Sequence, residues 1–175
     1  MRRFALTLGC LACMLLSASP AAADVSAGDM QIMARALSFM ARPPSGLIEV
    51  GIVYSPDDAE SSRDAKSAQE LLAGGLRVGS VTLNPVLVPA SQVASARVGL
   101  LFLTAGLGER ARPAAAASRE HRIPCITTDL TQVRSGFCAI GIRSRPRVEI
   151  LVNRAAATAD GTSFSTVFSL MITEL

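Results

Sequence analysis

"GLIEVGIVYS", Gly46 to Ser55, followed by "PDDAESSRDAKSAQELLAGG", Pro56 to Gly75, is the stretch that decides the fold. The first segment is almost continuously apolar and rich in β-branched residues, the composition of a strand covered on both faces. A strand with one wet face would instead alternate apolar and polar residues. The second segment opens with a turn and then runs at helical spacing to Gly74 and Gly75, a usual glycine stop. Asp57, Asp58 and Glu60 fall where acids favour the positive end of a helix. A buried strand passing into a helix is the first half of a parallel β-α-β unit.

The pattern continues on both sides. Upstream, "SAGDMQIMARALSFMARPP" (Ser26 to Pro44) places Ile32, Met33, Ala36, Leu37 and Met40 on one helical face, and Pro43 and Pro44 stop it. Downstream, "VTLNPVLVPA" (Val81 to Ala90) reads as a strand that Pro85 confines to an edge or a bulge. "VGLLFLT" (Val98 to Thr104) is a buried strand, "RPAAAASREH" (Arg112 to His121) a helix, and "IPCITT" (Ile123 to Thr128) another short buried strand. From Phe137 to Asn153 two strands joined by "RSRP" predict an antiparallel hairpin. The remainder predicts a short helix, a break at Gly161, and a last helix whose apolar face is Phe164, Val167, Phe168 and Met171. Together these predict one α/β layered domain with a mostly parallel sheet, a C-terminal antiparallel hairpin and helices on both faces.

Residues 1–23 read differently. Arg2 and Arg3 precede "FALTLGCLACMLL", an apolar run too short to span a bilayer, and Ala21 and Ala23 stand where a signal peptidase reads small residues. The expectation is an exported chain cleaved after Ala23, with the domain occupying residues 24–175, located in the periplasm and not inserted in the membrane. Cys10 and Cys13 leave with the leader. That segment carries two arginines and no acid, so the net charge of +3 falls to +1 without it. Near-neutrality, with the basic residues spread along the chain, argues against nucleic acid as a partner.

The chain offers little catalytic chemistry. His121 is the only histidine, placed near a predicted helix end where it complements the dipole. No G-x-S-x-G elbow, P-loop or close pair of carboxylates in an apolar setting is present, and zinc would need carboxylate ligands. No cofactor is expected. "GLGERA" (Gly106 to Ala111) fits G-x-G-x-x-A after a buried strand, with Asp129 about twenty residues on. It follows a late strand, however, and Pro113 starts the next helix too far along to cradle a pyrophosphate, so a plain strand-to-helix turn is the expected reading. Cys125 and Cys138 are the cysteines left after cleavage. In an oxidising compartment an even pair defaults to a disulfide; two separate buried thiols and a redox switch are the other readings.

Over Met30 to Leu175 the chain resembles the YfiR-like periplasmic proteins. The resemblance rests on "ARALSFMARPP" followed by "IEVGIVYSPD", on "AQELLAGGLRVGSVTLNPVLVPASQVASARVGLLFLT", and above all on "IPCITTDLTQVRSGFCAIGIRSRPRVEILVNRAAATADGTSFSTVFSLM". In the last stretch the family has a strand ending in Ser/Thr-Asp, a Gly-containing loop, an apolar strand, a turn, a strand of the kind seen in "PRVEILVN", and closing helices. The resemblance implies a regulatory binding protein and not an enzyme. Such proteins hold the periplasmic sensor domain of an inner-membrane diguanylate cyclase inactive and so act on cyclic di-GMP signalling; they tend to be dimers, with disulfides supporting the fold. If the C-terminal region binds the partner, Arg134, Arg143 and Arg145 are the surface candidates, since arginine is enriched at interface centres. The alternative is a periplasmic solute-binding protein of a transport system reduced to one lobe, with a ligand at the C-terminal ends of the parallel strands.

Overall fold

Residues 25–175 are described in a computed structural model; the leader assigned to residues 1–23 lies outside the described residues. The stretch from Gly46 forms the expected strand, β1 (Gly46–Tyr54), and the helix after it is α2 (Ala59–Leu72), preceded by α1 (Ala27–Ser38). Asp58 caps α2 by accepting a hydrogen bond from the Ser61 N–H, and Gly74 and Gly75 turn the chain away with φ of 79° and 85°. Next come β2 (Leu76–Val78), β3 (Val81–Pro89), a 3₁₀ segment (Ala90–Ser95), β4 (Leu100–Leu103), α3 (Arg112–His121) and β5 (Cys125–Thr127). The chain ends with α4 (Leu130–Arg134), β6 (Ile140–Arg143), β7 (Glu149–Val152), α5 (Arg154–Asp160), a single turn α6 (Thr166–Ser169) and β8 (Thr173–Glu174).

One eight-stranded sheet holds these strands in the order β2-β3-β1-β4-β5-β6-β7-β8. β3, β1, β4, β5 and β6 run parallel, whereas β2 pairs antiparallel with β3 and β7 antiparallel with β6. This is the mostly parallel sheet with a C-terminal hairpin that the sequence predicts. Side chains alternate across it. Val50 and Ile52 of β1 and Leu100 and Phe102 of β4 pack with Met33 and Leu37 of α1 and Ala65, Ala68 and Leu72 of α2. Val53, Leu101 and Leu103 point the other way, onto Val93, Ala114 and Ala117 of the 3₁₀ segment and α3, and Leu130 and Val133 of α4. Helices therefore cover both faces, which is why the central strands lack polar alternation.

Three local features differ from the sequence reading. β2 is an added edge strand that pairs only with Val81 to Leu83; Pro85 lies beyond it, where β3 has only β1 for a neighbour, so its missing N–H breaks no ladder. α4 occupies what reads as a polar turn, capped by Asp129 through the Thr131 N–H. The last helix is shorter than predicted. Phe168 stacks on Phe39 at a ring-centroid distance of 5.0 Å and meets Phe164 at 4.8 Å, but Val167 and Met171 are exposed, and the chain leaves the turn to pair with β7 as β8.

Candidate functional site

The parallel strands share one end, and the strand order reverses there between β1 and β4. In open α/β sheets the crevice outside the carboxyl ends of the strands at such a point is the usual binding position. A cleft of about 710 Å³ occupies it, lined from five directions: Ser26 and Asp29 of the α1 start, Glu60 of α2, Ala105, Gly106 and Gly108 after β4, Thr128, Asp129 and Thr131 after β5, and Arg143 to Pro146 at the end of β6.

Each wall is fixed by local chemistry. Ser26 and Asp29 form a capping box, with the Ser26 N–H donating to Asp29 Oδ2 at 2.9 Å. The other Asp29 oxygen accepts the Ser144 N–H at 2.7 Å, and the Ser26 and Ser144 hydroxyls lie 3.0 Å apart. The start of α1 is thereby fastened to the β6–β7 turn. Gly28 allows the approach: a Cβ there would come within 3.0 Å of Ser144. On the opposite wall, Asp64 accepts from the Val25 N–H and the Ala105 N–H, joining the chain's entry to the loop after β4. Beneath it the Thr104 hydroxyl contacts Ser61 Oγ at 2.7 Å and donates to the Val53 carbonyl. Asp129 accepts from the Thr131 N–H and hydroxyl and from Gln132 Nε2.

The glycine-rich stretch Gly106 to Ala111 is packed from α2. A Cβ on Gly106 would fall 2.8 Å from Asp58 Oδ1 and 3.2 Å from the Ser61 nitrogen, so a carboxylate stands where the fingerprint reading needs room for a phosphate. Residues 108–111 form a 3₁₀ turn ahead of α3, as the plain-turn reading expects. The Ser61 N–H, together with the Arg110 guanidinium 3.4 Å away, holds the Asp58 carboxyl below its ordinary value.

Of the residues singled out from sequence, Arg143 and Arg145 line the cleft, whereas Arg134 is exposed in the last turn of α4 and does not. Cys125 and Cys138 are bonded to each other, with Cα atoms 5.1 Å apart, and both are buried. Among the three readings of the pair, the structure selects the disulfide. His121 lies in the last turn of α3, its ring 3.3 Å from the Ala94 carbonyl, and Asp129 is a helix cap. Sequence reasoning missed Ser26, Asp29 and Ser144. The spacing Ser26-x-x-Asp29 ahead of an apolar run was a usable signal for the capping box; nothing local marked Ser144. Among the described residues no cluster of His, Cys, Asp or Glu could hold a metal ion, and no helix is long and apolar enough to cross a membrane.

No family model matches the chain, and no curated protein matches it. A solved structure described as a conserved domain protein from Vibrio cholerae O1 biovar El Tor strain N16961 is similar, with a TM-score of 0.58 and 12% identity over 86% of this chain. The chain spans 60% of that protein's length. At this identity the likeness concerns the fold alone.

Proposed function

We propose that this chain is an exported regulatory protein of the YfiR-like kind, which binds the periplasmic domain of an inner-membrane sensor, such as a diguanylate cyclase, and holds it inactive. The observation that carries the reading is an apolar corner beside β8, the outermost strand. Leu170 is 86% exposed, Val167 67%, Val148 65% and Met171 55%. β8 runs parallel to β7 with Thr173 opposite Leu151, so Leu170 and Met171, just before β8, lie at the same end of the sheet as Val148, just before β7. Arg143, the last residue of β6, and Arg145 and Arg147 of the connecting turn lie at that end. Exposed large apolar side chains at the same sheet end as arginines are the composition of a protein interface, and an edge strand adds backbone groups for pairing. The buried disulfide is compatible with an oxidising compartment.

In-cell crosslinking of the tagged protein in its native envelope tests this. Capture of an inner-membrane protein with a periplasmic sensor domain is expected from the unaltered chain and is expected to fall at least about tenfold in L170E/M171E, the loss of roughly 1.4 kcal/mol or more at an interface centre. Capture that persists in L170E/M171E and in charge reversals at Arg134, Arg143 and Arg145 would remove the reading.

The cleft favours a second reading. A pocket of this size at the topological switch point suits a small ligand, as in a solute-binding protein reduced to one lobe.

A further inference from the structure

The cleft's charges are unequally engaged. Of its three carboxylates, Asp29 already accepts from Ser26 and from the Ser144 N–H, and Asp129 accepts from Thr131 and Gln132. Hydrogen bonds of the fold itself thus hold the oxygens of these two carboxylates, which keep their charge. Glu60 remains half-buried in the first turn of α2. Against it stand Arg143 and Arg145, exposed residues that line the cleft and make no ion pair among the described residues. Their backbone is not free to drift, because Ser144 between them is bonded through its N–H to Asp29. Two guanidinium groups are thus presented from the β6 end and its turn to a crevice that Thr128 and Thr131 also line, the Thr131 hydroxyl being already donated to Asp129.

From this arrangement we propose that the cleft binds a small anionic ligand, a carboxylate or a phosphate, through Arg143 and Arg145. Planar guanidinium groups take either anion through paired N–H donors. Open to solvent on one side and about 710 Å³ in volume, the cleft suits a metabolite-sized molecule and not a bare ion alone. The proposal rests on the second reading only in taking the cleft as a ligand site. It holds equally for a regulatory protein whose anion competes with the partner for the same arginines.

The test is thermal unfolding of the disulfide-bonded protein at constant ionic strength, with inorganic phosphate, glucose 6-phosphate, succinate and glutamate as probes, and glucose and putrescine as uncharged and cationic controls. A saturating anion is expected to raise Tm by about 5 °C or more at a hundredfold excess over its Kd. R143Q/R145Q is expected to abolish the shift while its own Tm stays within about 2 °C of the parent, as exposed side chains allow. A response confined to the phosphates assigns the site to phosphate, and one confined to succinate and glutamate assigns it to carboxylate. Stabilisation by glucose or putrescine alone would overturn the anion proposal yet keep the cleft as a ligand site. No shift with any probe would overturn both, as would anion stabilisation that survives R143Q/R145Q. The L170E/M171E variant should retain the full anion response, which separates this site from the docking corner.

Discussion

Asp160, at the end of α5, is 2% exposed, and burial pushes its carboxyl above the ordinary value, partly offset by hydrogen bonds from Thr162 and Ser118. Because the folded state then binds the proton more tightly than the unfolded chain, this group favours folding most below the usual carboxylate pKa of about 3.9. Its contribution falls as pH rises through the raised folded value, since the native state must then hold a desolvated charge. The stability difference between the parent and D160N, measured by urea unfolding from pH 4 to pH 7, is therefore expected to shift in favour of D160N as pH rises. A difference that is flat across that range would show that Asp160 titrates normally. Asp58 has the opposite sign: its lowered carboxyl stabilises above the ordinary value and loses that effect as pH falls. Asp160 was invisible in the sequence, since "TADG" reads as a helix end with a solvated acid. Only the packing of α3 and α5 makes it a buried one.

At the scale of elements, β6 and α4 sit so close that no side chain fits between them. A Cβ on Gly141 would come 2.6 Å from Leu130 Cδ2 and 2.8 Å from Val133 Cγ2. Gly141→Ala is expected to destabilise by about 1–3 kcal/mol through overpacking, read as a lower urea midpoint with an unchanged m-value. A midpoint within experimental error of the parent would mean that α4 is free to move away. α4 also marks the limit of what the sequence revealed. The long apolar strands were legible because burial on both faces leaves a run that no other element produces, and the glycine and proline stops placed the helices that follow. A five-residue helix has too few positions to display a period, so "LTQVR" reads as part of a turn. The last helix failed for the converse reason. The spacing of Phe164, Val167, Phe168 and Met171 is helical, but one turn satisfies the contacts that matter, those of Phe168 with Phe39 and with Phe164. Of the cleft, the two arginines on the hairpin turn were legible. Their fastening through Asp29 joins residues 115 positions apart in the chain, beyond the reach of any local pattern.

For the molecule as a whole, the Cys125–Cys138 bond ties the start of β5 to the entry of its parallel neighbour β6. Its sequence separation of 13 corresponds to a loop-closure contribution of about 3 kcal/mol. Replacing both cysteines with alanine is expected to lower stability by about 2–4 kcal/mol, measured by denaturant unfolding against the oxidised parent. Since Cys125 is 0% and Cys138 1% exposed, reduction of the native protein should be no faster than its opening, and rapid reduction without loss of structure would contradict the burial described. The bond also closes a ring, and Thr128, Asp129 and Thr131, one wall of the cleft, lie inside it. A protease cut anywhere between the two cysteines therefore cannot release a fragment. The nicked chain would migrate as one species on a non-reducing gel and as two after reduction, so the integrity of this wall must be judged under reducing conditions.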